Sequence, residues 1–182
     1  MKRTVLFTLG VLALTAGTFA QAPDAAIEKA LAAAPRNLKA GAAVIKFKAD
    51  GTYDTLKPGT NRLVCYDRSG EPGQQPFAVQ CTSVANIPRV VQNRKFEAMT
   101  DKAAKQAALD AAEKDGSRAK PEFGSVWYTM NGADKDHARI HTTIAVPGAT
   151  TQSMGLPSDN KQGGVWIMNA GTSTAHLMTP GS

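Results

Sequence analysis

Val126-Trp127-Tyr128-Thr129-Met130 and Arg139-Ile140-His141-Thr142-Thr143-Ile144-Ala145-Val146 are the most strand-like runs in the chain, and Asn131-Gly132 opens the loop between them. Both runs are dense in β-branched and aromatic residues, which suit a pleated, half-buried surface better than a helix. Working outward toward the C-terminus, Val165 to Met168 and Thr174 to Met178 read as two final strands. Toward the N-terminus, Ala78 to Thr82 and Leu63 to Tyr66 read as strands. Ala42 to Lys48 alternates apolar and polar residues and forms a hairpin with Tyr53 to Leu56 around the turn signal Asp50-Gly51.

Two stretches carry helix signals. Asp24 to Ala34 places Ile27, Ala30, Leu31 and Ala34 on one face and is stopped by Pro35. From Asn86 to Gly116 there is little β signal, and Thr100 to Lys114 is an Ala-rich helix with Thr100 at its cap and Gly116 beyond its end. Its apolar stripe (Ala104, Ala107, Leu109, Ala111) is shallow, which suits a helix laid over a sheet. The pattern predicts a single α+β domain over residues 21–182, a small antiparallel sheet with the Ala-rich helix packed on one side. Residues 148–164 read as a long surface loop.

The first 20 residues stand apart. Lys2 and Arg3 precede an apolar run from Thr4 to Gly17, and Thr18-Phe19-Ala20 presents small residues where a signal peptidase reads. The run is short of the ~20 apolar residues that span a bilayer. This predicts a cleavable signal peptide over residues 1–20, export to the periplasm or beyond, and no transmembrane span in the mature chain.

Cleavage removes two cations from a 182-residue chain of formal net charge +6. What remains is mildly basic, with dispersed charge. The densest basic pair, Arg94-Lys95, has no interleaved aromatics, so no nucleic-acid partner is expected. Such a surface tolerates contact with anionic envelope polymers.

The chain has 2 cysteines, Cys65 and Cys81, flanking a Gly/Pro-rich loop over residues 68–76. In an oxidising compartment this pair predicts a disulfide, worth ~3 kcal/mol in the chain-entropy model. The spacing is not that of a redox Cys-x-x-Cys, and no further cysteine completes a zinc site.

Chemistry is harder to find. Phosphate-cradling and dinucleotide fingerprints are missing from the sequence. Gly171-Thr172-Ser173-Thr174-Ala175 departs from a nucleophile elbow at its last position. The carboxylates Asp50, Asp54, Asp67 and Glu71 sit in turn and loop segments. The 3 histidines form the one constellation to weigh. His137 and His141 share a face by spacing, and His176 lies two residues before Met178. If their strands were neighbours, His141 and His176, with His137 as an outer member, would suit a transition metal such as Zn or Cu. Against this stands a structural role in which each ring bonds local backbone or hydroxyl groups.

Gly59-Thr60-Asn61 ahead of Cys65 and Cys81 forms the front half of a wider pattern. Its back half is Leu156-Pro157-Ser158-Asp159, Gly163-Gly164-Val165-Trp166-Ile167-Met168, Gly171-Thr172 and His176-Leu177-Met178-Thr179-Pro180. Together they resemble a family of short secreted bacterial proteins of unassigned activity. Leu63 stands where that pattern tends to carry Trp, and no Met follows two residues after His141. The resemblance implies a secreted domain and no enzymology. The expected role is therefore binding or structural, with an unspecified partner. The alternative is a metal-binding protein or metal-dependent hydrolase using His141 and His176. Trp127 and Trp166, in strand-like runs, are expected to be mostly buried.

Mature protein from the cell envelope is expected to begin at Gln21 and to carry no titratable thiol under denaturing, non-reducing conditions. Intact mass and thiol titration check both points, and two reactive thiols contradict the disulfide.

Overall fold

The computed structural model describes residues 21–180, so the signal-peptide reading over residues 1–20 lies outside the described residues. Helix α1 (Gln21–Ala30) tightens into a 3-10 turn at Leu31–Ala33. It ends at Ala34, which is extended (ψ 133°) because the ring of Pro35 disfavours the helical conformation in the residue before it. The chain continues through α2 (Arg36–Lys39), β1 (Ala43–Phe47), β2 (Tyr53–Lys57), β3 (Leu63–Asp67) and β4 (Phe77–Ser83). Helices α3 (Ile87–Glu97) and α4 (Lys102–Lys114) follow. The last third contributes β5 (Val126–Gly132), β6 (Arg139–Ala145), α5 (Thr151–Met154), β7 (Trp166–Met168) and β8 (His176–Met178).

The fold is α+β, but the sheet is large rather than small. Eight strands join it in the order β2-β1-β3-β4-β5-β6-β8-β7. It is also not purely antiparallel, because β1 and β3 run parallel. The 58–62 turn causes this by carrying the chain back across the start of β1, so β2 and β3 flank it on opposite sides. The backbone N–H groups of Thr60 and Asn61 donate to the Gly41 carbonyl at 2.8 and 3.1 Å, and Asn61 Nδ2 donates to the Leu38 carbonyl at 2.9 Å. Lys57 Nζ reaches the carbonyls of Ala40 and Ala42. The Gly-Thr-Asn stretch is thus the crossing point of the chain.

Strand alternation sorts the side chains between two faces. On one face Val44, Leu63, Cys65, Phe77, Val79 and Cys81 pack under Ala30, Leu31 and Ala33 of the N-terminal helical segment. On the other, Ile45, Val64 and Tyr66 pack against Ile87 and Val90 of α3. Cys65 and Cys81 stand directly opposite each other across the β3–β4 pair, with their sulfurs bonded at 2.08 Å. Among the described residues there is no helix long and apolar enough to cross a membrane.

Helix α3 carries no strong apolar stripe and is not anticipated from the sequence, although Pro88 in its first turn is well placed to start it. The Ala-rich segment does form α4, capped by Asp101 rather than Thr100, with Asp101 Oδ1 accepting from the Ala104 N–H at 2.8 Å. Its main packing partner is α3, not the strands. Only Ala112 of α4 is buried, too little apolar surface to claim a place on the sheet. Residues 148–164 are more ordered than a plain loop. A reciprocal cap between Thr150 and Ser153 starts α5, and Met154 packs beside Val146, Ala149, Ile167 and Ala175.

A Cβ added at Gly59 would meet the Ala43 nitrogen at 2.7 Å and the Ala43 Cβ at 2.9 Å. Gly59→Ala is therefore expected to destabilise the protein by about 1–3 kcal/mol, the range for overpacking. Urea unfolding measures this, and an unchanged midpoint contradicts the close crossing.

Candidate functional site: a donor-lined cleft beside helix α3

The sheet face covered by α3 carries a polar row set by strand register. Tyr66, Gln80, Thr129 and His141 stand in line on β3, β4, β5 and β6. Tyr66 Oη donates to Gln80 Oε1 at 2.6 Å, and Gln80 Nε2 donates to Thr129 Oγ1 at 2.8 Å. Tyr66 is fully buried, and burial raises its pKa far above the usual phenol range, so it stays a neutral donor. The row fixes the amide of Gln80, which forms part of the floor of a cleft.

That cleft, about 150 Å³, lies where α3 stops covering the sheet. Gln80, Trp127, Thr143 and His176 come from the strands, Arg89 and Asn93 from α3, and Arg68 from the loop after β3. Pro121, Ala145, Thr174 and Ala175 complete the lining. Among the described residues no carboxylate lines it. Asn93 Nδ2, the Trp127 indole N–H and the Thr143 hydroxyl find no hydrogen-bond partner among the described residues. They are not sealed off, because the one fully buried side-chain polar atom without a partner there is Arg118 Nε.

Arg89 is the most unusual residue at the site, only 3% exposed. Its Nη1 donates to the Ala119 carbonyl at 2.7 Å and to Ser173 Oγ at 2.9 Å, and its Nη2 donates to Thr174 Oγ1 at 3.1 Å. Burial, helped by the neighbouring Arg118 charge and partly offset by Glu113, lowers its pKa to about 10, so it remains charged at neutral pH. Ser173 donates its hydroxyl and its backbone N–H to the Glu113 carboxylate. The serine weighed as a nucleophile is therefore a buried tie between α3, α4 and the entry to β8. Arg118, its pKa lowered mainly by burial, donates to Gln92 Oε1 at 2.7 Å and Asn93 Oδ1 at 2.6 Å, and lies over the Phe96 ring.

Arg68 belongs to a separate ion cluster. Its Nε pairs with Glu71 at 3.1 Å and its Nη2 with Glu97, while Arg94 pairs with the other oxygen of Glu71. Arg94 also covers the Phe47 ring at 4.5 Å. This quartet ties the 68–76 loop to the end of α3.

The histidines are not brought together. β6 and β8 are neighbours, but the register sets His176 opposite Ala145, four residues from His141. At about 3.3 Å per residue that is ~13 Å along the strand, whereas two ligands of one zinc each lie only ~2.1 Å from the metal. His141 is half-buried at the end of the polar row. His176 Nδ1 must carry a proton, since it donates to the Thr174 carbonyl at 2.8 Å, which leaves Nε2 as the free nitrogen. The exposed His137 bonds Asp134 at 2.8 Å in the β5–β6 loop, and that bond lowers the Asp134 pKa. Among the described residues no group of three or more His, Cys, Asp or Glu is placed to hold a metal ion. Asp50, Asp54 and Asp67 serve turns and surface ion pairs.

Neither Trp127 nor Trp166 is fully buried, but both keep most of their surface covered, as expected of strand tryptophans. β5 and β6 form the part of this face beyond the reach of α3, so Trp127 packs partly on the core and partly lines the cleft. Arg68, Arg89, Asn93 and Thr143 escape a reading of the sequence because three of them lie outside the strand-like runs and Thr143 looks like ordinary strand filler. The one available signal is Arg89 itself, a lone cation between Pro88 and the apolar pair Val90-Val91. Compared with known proteins, the chain matches no family model, no curated protein and no solved structure.

Arg89→Met removes the donor to three oxygens at once. It is expected to lower the unfolding free energy by about 3 kcal/mol or more, given 1.5–3 kcal/mol for a hydrogen bond to a charged group. Denaturant titration reads this, and a loss under about 0.5 kcal/mol would show that the Arg89 contacts do not hold the helical layer.

Proposed function

We propose that this chain is an exported binding domain whose ligand presents an anionic group to the cleft beside α3. The observation that carries this reading is the sign of the cleft. Arg89 brings a buried positive charge to its wall, three side-chain donors there lack partners among the described residues, and among those residues no carboxylate lines it. Unpaired N–H and O–H groups at a partly enclosed, positive site are satisfied best by an acceptor-rich anion. Its volume is about half the ~300 Å³ at which drug-sized pockets begin, so it suits a small acid or the acidic end of a longer molecule. The buried disulfide and the N-terminal signal pattern support a role in an oxidising, extracytoplasmic compartment. Under this reading the family of secreted proteins that the sequence resembles would also comprise binding domains.

Thermal unfolding tests the proposal. A series of small organic and inorganic anions, each at constant ionic strength, is expected to include members that raise the midpoint of the mature protein in a saturable way. The same members should fail with the double variant Asn93→Leu/Thr143→Val. Neutral amides giving equal shifts, or shifts unchanged in the double variant, would overturn it.

A further inference from the structure

We infer that the group held in this cleft is a monocarboxylate attached to a flat apolar body, a step that rests on the reading of the cleft as an anion site. The charge comes from the balance of the two clusters that border it. Around Arg68, two guanidiniums (Arg68, Arg94) meet two carboxylates (Glu71, Glu97), so that cluster is neutral. Around Arg89, two guanidiniums (Arg89, Arg118) face Glu113, whose hydrogen-bonded link to Arg89 runs through the hydroxyl of Ser173, while Glu97, the other carboxylate acting on Arg118, is already paired with Arg68. One positive charge is left over, shared between Arg89 in the wall of the cleft and Arg118 behind it. A single negative charge balances the site, whereas a phosphate monoester, approaching two charges at neutral pH, overshoots it.

The donors agree with this. Arg89 uses both terminal nitrogens on protein oxygens, and Arg68 uses Nε and Nη2 on glutamates. The two-pronged grip by which arginine holds phosphate is thus already engaged at Arg89. What remains is a set of single donors, the Asn93 amide, the Trp127 indole N–H and the Thr143 hydroxyl, with the Thr174 hydroxyl proton also free to donate while its oxygen accepts from Arg89. Single donors of this kind suit the two in-plane oxygens of a carboxylate. The remaining wall is apolar and stiff: Trp127, Pro121, Ala145 and Ala175. A planar ring or short unsaturated chain packs on such a wall with little loss of freedom.

Nitrogen-15 indole NMR tests the inference on the mature protein, which has 2 tryptophans and so two indole N–H signals. Trp166→Phe assigns them. The probes are benzoate, benzamide, phenyl phosphate and acetate, titrated at fixed pH and ionic strength. Saturable shifts of the Trp127 indole signal are expected with benzoate. Its affinity should exceed that of benzamide and of phenyl phosphate by about tenfold, equivalent to about 1.4 kcal/mol, and should also exceed that of acetate. Thr143→Val should weaken benzoate about fivefold or more, roughly the loss of one hydrogen bond. Benzamide binding as well as benzoate would overturn the anion reading itself. Phenyl phosphate binding more tightly would leave the anion site standing and overturn the monocarboxylate. Acetate equal to benzoate would overturn the flat apolar body, and an unaffected Thr143→Val would overturn the placement. No saturable shift with any probe would overturn both the site and its ligand.

Discussion

Burying the charge of Arg89 constrains much of this molecule. Taking a guanidinium out of water costs several kcal/mol unless its N–H groups meet oxygens in the interior. Here those oxygens come from the segment after α4 (Ala119) and from the turn that enters β8 (Ser173, Thr174). Ser173 then recruits Glu113 from α4. One side chain on α3 therefore fixes the relative positions of three segments far apart in sequence. Arg118 reinforces the arrangement from the other side through Gln92, Asn93 and the Phe96 ring. α4, with a single buried alanine, is held in the helical layer largely by these polar ties rather than by an apolar stripe.

The two halves of the sheet are built by different physics. From β1 to β4 both faces are covered, by the α1 segment on one side and α3 on the other, and the disulfide lies within the apolar packing. β5 is half-buried along its whole length, and β6 is buried only at Ala145. The difference follows from the size of α3, whose 11 residues are too short to cover eight strands. The uncovered strip of sheet beside it becomes the floor of the cleft, and the charge of the cleft follows from the Arg89 anchor. The two guanidiniums there have Glu113 between them, and Glu97, which also acts on Arg118, is paired with Arg68, so the polar ties that hold the helices leave a positive charge beside the cleft. Scaffold and site share the same residues.

Strand positions were legible in the sequence wherever alternation or β-branched density was strong. The hairpin at Asp50-Gly51 and the runs at 126–130 and 139–146 coincide with β1–β2, β5 and β6. The disulfide was legible because two cysteines flanking a Gly/Pro-rich loop leave few other partners. The cleft was not legible. Its residues come from α3, the loop after β3 and strands β4, β5, β6 and β8, and no spacing rule links them. The histidines illustrate the same limit. The sequence left the adjacency of their strands open; β6 and β8 are neighbours, yet a register offset of four residues keeps His141 and His176 apart.

By itself, the sequence determined which segments are strands, where the chain turns, which cysteines pair, and that the fold is α+β. These depend on local periodicity, turn chemistry and cysteine count, all of which act over a few residues or a single loop. Tertiary structure alone decided that all eight strands join one sheet, that β1 and β3 run parallel, that α4 lies on α3, and that the positive cleft exists. Those outcomes depend on long-range register and on how a buried charge finds its oxygens. Both are settled only when segments distant in the chain compete for the same hydrogen bonds and the same apolar surface.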